Sequence, residues 1–210
     1  MKNLAIILTL TLSMPHLSIA QNLTTDSDTT YWIKNHIQTL NQMRVEPLYV
    51  SDNKVIFRYF DGFRLVQLVE DDNQRITSEA HFILQEYLSP GRIYTSKAKL
   101  SEEFTKEIIN LLDDLSINQI PSDKYIDGWN GGHDGITFFF ETWNKNEYSF
   151  KTYWTPQAYD DIKEARLIEY FISLLLANDE LEAVKEKFMK HQPFDVYLSN
   201  LYGIGIVMEN

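Results

Sequence analysis

Two aromatic-rich runs of eight residues, Ile136 to Trp143 and Glu147 to Trp154, flank the short polar stretch Asn144-Lys145-Asn146. β-Branched and aromatic residues on either side of a turn predict two antiparallel strands, so the chain must contain an antiparallel sheet that buries this hairpin. A three-residue turn would set Trp143 opposite Glu147. Ile136, Phe138, Phe140 and Thr142 would then share a core face with Tyr148, Phe150, Thr152 and Trp154. Glu141 would lie on the opposite face across from Ser149, with Lys151 diagonal to it as an ion-pair partner.

The remaining elements follow from periodicity. Trp32, Ile33, Ile37, Leu40 and Met43 recur at helical spacing and predict a first helix from about Asp28 to Met43, which Pro47 closes. Leu48 to Val50, Lys54 to Phe60, Phe63 to Val69, Ile76 to Leu88 and Arg92 to Leu100 are strand-like and separated by turn residues. Asp61-Gly62 favours a tight hairpin, with Phe60 and Phe63 opening the ladder. Ser101 before Glu102 and Glu103 is a helix start, continued by Phe104, Ile108, Leu111, Leu112 and Leu115. Further helices are predicted at Ala158 to Ala177 and Glu180 to Lys190, and Phe194 to Met208 closes with a short strand. Helix, meander, helix, hairpin, helices is the order of an α+β fold: a single domain whose antiparallel sheet is packed by about four helices.

The N-terminus carries a different signal. Lys2, the apolar run Leu4 to Leu12 and Ser18-Ile19-Ala20 have the form of a cleaved secretory leader over 1–20, leaving a domain of 21–210. The expected location is periplasmic or secreted. The formal charge of -11 disfavours nucleic acid and anionic lipid as partners and favours a basic protein or a component of the cell envelope. There is no cysteine, so stability rests on the core, and thiol nucleophiles and thiolate metal sites are excluded. No stretch after the leader approaches the roughly 20 apolar residues of a membrane span.

Asp127 to Gly135 holds four glycines in nine residues, which points to a loop of unusual backbone geometry. Three chemistries compete for it. Asp134-Gly135 and Glu141 have the spacing of the second half of a calcium-binding EF-hand loop, but Asn130 and Gly132 stand where two acidic ligands belong. His133, Asp134 and Glu141 are candidates for acid and base in hydrolysis, without the ligand spacing of a metal site, and no cofactor motif occurs in the chain. Alternatively the loop is a recognition surface with Asp127, an exposed Trp129, Asn130, His133, Asp134 and Tyr153 as contact residues.

Gly128, Trp129, Asp134, Gly135, Glu141, Tyr148, Tyr153 and Pro156 together form a pattern that resembles a signature of uncharacterised bacterial exported proteins. The resemblance implies an envelope protein and assigns no activity. The expectation is therefore a non-enzymatic binding or interaction protein of the bacterial envelope, of which an inhibitor or immunity protein against a basic toxin or wall-cleaving enzyme is one version. The alternative is a hydrolase acting on a cell-wall or glycan substrate through the carboxylates of the Asp127 to Glu141 segment.

Overall fold

A computed structural model describes residues 23–28, 31–48, 54–86, 92–132, 134–144, 146–192, 196–198 and 205–207. The expected leader 1–20, its cut before Gln21 and the candidate His133 lie outside these residues. The fold is α+β, built on one antiparallel sheet. Helix α1 (Tyr31–Met43) precedes a meander of β1 (Lys54–Phe60), β2 (Arg64–Glu70), β3 (Ile76–Glu86) and β4 (Ile93–Lys99). Helix α2 (Glu102–Asp114) leads to the hairpin β5 (Thr137–Trp143) and β6 (Tyr148–Trp154), then α3 (Lys163–Leu176) and α4 (Asp179–Met189). Two three-residue strands, β7 (Val196–Leu198) and β8 (Gly205–Val207), close the described chain where one short strand was expected.

The six long strands lie in the order β6-β5-β1-β2-β3-β4, and β7-β8 joins the far end of β3. The hairpin thus docks against the first strand of the meander, with Arg58 opposite Glu141 and Phe60 opposite Phe139.

Helices cover both faces. Phe104, Ile108 and Leu112 of α2, Ala165, Ile168, Phe171 and Leu175 of α3, and Leu181 and Phe188 of α4 bury one stripe each against Phe57, Tyr59, Leu68, Phe82, Phe138, Phe140 and Tyr153. On the other face α1 sets Leu40 and Met43, with Val45 and Leu48 after it, over Val55, Phe60, Leu65, Ile83, Phe139, Trp143, Tyr148 and Phe150. Full burial of one such side chain stabilises the fold by about 1.5–3 kcal/mol. A helix on each side is the physical reason that β5 and β6 show no alternation of buried and exposed residues.

That two-sided burial also overturns the expected hairpin register. Trp143 pairs with Tyr148 and Glu141 with Phe150, one residue away from the expected pairing. The turn runs from Asn144 to Glu147, whose carbonyl accepts the Asn144 N–H at 3.3 Å, while Asn144 Oδ1 accepts the N–H groups of Asn146 and Glu147. Phe139, Glu141 and Trp143 therefore share the α1 face with Tyr148, Phe150 and Thr152. Glu141 does not pair with Lys151, whose ammonium instead reaches Asp26 and the carbonyls of Asn118 and Ile120 on the opposite face.

Local starts and stops follow side-chain chemistry. Ser101 caps α2 by accepting the Phe104 N–H, as its sequence position predicts. The first hairpin turns on Gly62 and Phe63, not Asp61-Gly62: Asp61 N–H donates to the Arg64 carbonyl and Gly62 takes φ 89°. Pro156 opens a single 3-10 turn after Thr155, which has φ 43°, so α3 begins at Lys163 and not at Ala158.

Candidate functional site

On the α1 face, one polar side chain from each long strand joins a row that crosses the whole sheet. Tyr148 of β6 donates its hydroxyl to Glu141 Oε2 of β5 at 2.6 Å. Arg58 Nη1 of β1 lies 3.5 Å from Glu141 Oε1, and Arg58 Nε and Nη2 donate to Gln67 Oε1 of β2 at 3.0 and 2.9 Å. Gln67 Nε2 donates to Glu79 Oε2 of β3 at 3.2 Å, and Lys97 of β4 reaches the same oxygen at 2.8 Å. From above, α1 lowers His36 so that its Nε2 stands 2.6 Å from Glu141 Oε1, while its ring stacks on Phe139.

Glu141 is 1% exposed and His36 fully buried. Burial alone would raise the Glu141 pKa, but the charge of His36, the Arg58 guanidinium and the hydrogen bonds from His36 and Tyr148 outweigh it and hold the carboxyl at about 2. Glu79 is likewise held at about 2, by His81 beside it against the effect of partial burial, with Lys97 and Gln67 adding to the effect. Both are fixed anions within a paired network, the arrangement of a structural brace.

The Gly-rich loop is built differently from its expected form. Gly128 takes φ 84°, but Gly132 and Gly135 serve close approach: a Cβ would stand 2.4 Å from the Trp154 indole at Gly132 and 2.0 Å from Thr155 Oγ1 at Gly135. Trp129 is 4% exposed, not a projecting anchor; its indole N–H donates to the Trp154 carbonyl at 2.8 Å and its ring meets Tyr153 and Tyr159. Tyr159 donates its hydroxyl to the Asn130 carbonyl. Tyr153 is fully buried, its hydroxyl donating to the Ile120 carbonyl at 2.9 Å. Trp129 is therefore not the exposed anchor expected, although it lines the cleft beside the loop, and Tyr153 has no exposed surface. Asp127, Asn130 and Asp134 are exposed.

Asp134 and Glu141, the candidate acid and base, sit in unlike surroundings: one exposed in the loop, the other enclosed with a partner on each oxygen. Among the described residues no three His, Asp or Glu side chains gather as a metal site. No described helix is long and apolar enough to cross a membrane.

Beside the loop is a cleft of about 500 Å³ lined by Asp28, Asp123, Lys124, Asn130, Gly131, Thr152 and the half-buried Trp154. Thr152 Oγ1 lies 3.1 Å from both Asp28 Oδ2 and Asp123 Oδ1. One hydroxyl proton cannot serve two carboxylates at once. Burial pushes the Asp123 carboxyl up, and neighbouring Asp28 adds to it against bonds from the Trp154 N–H, Thr152 and the Lys124 N–H. Asp28 also pairs with Lys124 at 3.0 Å.

The same residues close the outer edge of β6. Asp28 N–H donates to the Phe150 carbonyl and Ser27 Oγ accepts the Phe150 N–H, while Ser122 Oγ accepts the Thr152 N–H and Asp123 the Trp154 N–H. Backbone N–H groups of Thr24 and Asp28, together with the side chains of Ser27, Ser122 and Asp123, thus take the place of a further strand.

The sequence does not single out Arg58, Gln67, Glu79 or Asp123 for a site, and offers Asp28 only as the start of the first helix. Arg58 and Gln67 did leave a signal: each interrupts a run of apolar strand residues, where a charge or amide must find partners if both faces are covered, whereas Glu79 follows Thr77 and Ser78 and breaks no such run. Asp28 and Asp123 left none, because they stand far apart in the chain and meet through β6. Comparison with protein-family models, curated proteins and solved structures found no match for this chain.

Proposed function

We propose that this is a non-enzymatic binding protein of the bacterial envelope, exported by its leader, whose recognition surface is the cleft beside the 127–135 loop and whose ligand is a cationic side chain of a basic protein partner. The observation that carries this is the convergence of Asp28 and Asp123 with the Trp154 indole in one open cleft, because carboxylates and an aromatic ring are the groups that receive an ammonium or guanidinium. The excess of 30 acidic over 19 basic residues would speed encounter with such a partner. Asp127, Asn130 and Asp134 form an exposed polar rim of the kind that borders an interface core.

Hydrolysis is less well supported. Glu141 is spent on His36, Arg58 and Tyr148 inside the core, while Asp134 stands exposed in the loop, so the two candidate carboxylates sit in different surroundings. The test is affinity capture from envelope extract with the wild-type chain and with Asp127→Ala, Asn130→Ala and Asp134→Ala combined. These rim changes touch no buried group, so Tm should hold. A basic partner captured reproducibly by the wild type and lost from the triple variant supports the proposal. A partner retained by the variant, or turnover of wall glycan by the wild type, rejects it.

A further inference from the structure

We propose a second, separate binding site for a small zwitterionic solute, a free amino acid or dipeptide, in the cleft between the turn after α1 and the exposed end of the polar row. This cleft has a volume of about 380 Å³, within the ordinary range for small-ligand sites of roughly 300–1,000 Å³. Its apolar wall is Val45, Val55 and Val69. Arg44, Arg58 and Lys97 supply three cations, and Glu46, Asp71 and Glu79 supply three carboxylates. The balance favours neither a bare anion nor a bare cation. A ligand carrying both charges a few ångströms apart matches it, whereas a sugar would want an aromatic platform that the lining does not have.

His81 is the independent sign that something is to be bound. It is 4% exposed, lines this cleft, and its Nε2 makes no hydrogen bond. Its close carboxylate oxygen, Glu79 Oε2 at 3.5 Å, already holds Lys97 and Gln67 and gives His81 a charge contact without hydrogen-bond geometry. A buried polar atom left in this state costs about 1–3 kcal/mol, and such orphans in native folds call for an explanation. The floor beneath it is rigid, since Gln67 and the Glu46 carbonyl, 3.1 Å from Arg58 Nη2, hold Arg58 in place and Gln67 is itself tied to Glu79.

Lys97 stands opposite His81 in the β3-β4 ladder and is 57% exposed, whereas its partner Glu79 is 17% exposed. A ligand carboxylate can draw the Lys97 ammonium away from Glu79, leaving Glu79 to accept the ligand ammonium and the His81 ring. One ion pair is exchanged for two with no net change of charge in the cleft. The exchange frees Glu79 Oε2 from Lys97 and so gives His81 an acceptor it does not have in the unliganded protein.

Calorimetric titration of the whole chain with L-alanine and L-alanyl-L-alanine, beside N-acetyl-L-alanine and L-alaninamide, tests this. At least one zwitterion should bind, and each singly charged analogue should bind at least ten-fold more weakly. Lys97→Met should weaken zwitterion binding at least ten-fold while the chain still unfolds in one cooperative transition, since the Lys97 side chain is 57% exposed and packs no core. Absence of binding by both zwitterions at about 10 mM overturns the proposal. So does equal binding of an analogue, or a Lys97→Met chain that binds as the wild type does.

Discussion

Arg58 and Glu141 face each other across the β1-β5 ladder, 3.5 Å apart and 2% and 1% exposed, within the polar row that crosses the sheet. Removing either partner leaves the other charge buried. Glu141→Gln should lower unfolding free energy by about 3–5 kcal/mol, while Tyr148→Phe, which deletes one hydrogen bond to a charged group, should cost about 1.5–3 kcal/mol. The double change Arg58→Met with Glu141→Leu should recover much of the single-variant loss. Urea unfolding of the four chains checks this, and a Glu141→Gln chain as stable as the wild type would remove the brace from the account.

Acid stability should depend on the same row. Glu141 and Glu79 are both held at about 2 against an ordinary 4.5. A depressed carboxylate pKa stabilises the fold fully above its unfolded value, and that stabilisation is lost as protons bind on the way down to the folded value. Unfolding free energy should therefore be flat above about pH 5 and fall steeply between about pH 4.5 and 2. In Glu79→Gln the fall should be shallower. Denaturant titrations at stepped pH give the slope.

The edge of β6 offers a separate test. Ser122 is fully buried and its hydroxyl accepts the Thr152 N–H at 3.1 Å. Ser122→Ala should cost about 1–3 kcal/mol, because the Thr152 N–H is left without an acceptor. Amide exchange at Thr152 should quicken while that of the central strand β1 follows only the global change in stability.

Glycine spacing in the loop predicts a graded series. A Cβ at Gly131 meets nothing within 4 Å, whereas at Gly132 it meets Trp154 at 2.4 Å. Gly131→Ala should be neutral within about 0.5 kcal/mol, and Gly132→Ala should cost about 1–3 kcal/mol by overpacking. Trp154→Leu should relieve part of the Gly132→Ala penalty if the clash is with the indole. Melting curves of the single and double variants decide it.

Much of the resemblance pattern has structural roles, in the loop and in the polar row. Gly128 supplies the positive φ, Trp129 the buried indole, Gly135 the space beside Thr155, Tyr148 the bond to Glu141, Tyr153 the bond to Ile120 and Pro156 the turn into α3. Asp134 has no such role and stays exposed. The loop part of the pattern packs on Trp154 and Tyr153, while Tyr148 and Glu141 belong to the polar row.

The sequence by itself determined what depends on local chemistry: the four helices from their apolar stripes and the Ser101 cap, the meander and hairpin from β-forming runs and turns, and hence the α+β class. Register and partnership were decided by tertiary structure. Nothing local could show that α1 would cover one sheet face and three helices the other, and with both faces buried the alternation that fixes register carries no preference. The slip by one residue then turns Glu141 from Lys151 toward His36 and Arg58, more than eighty residues earlier in the chain. Buried charges take their partners from whatever the sheet order brings beside them, and that order, with β5 against β1, is settled by the packing of distant segments.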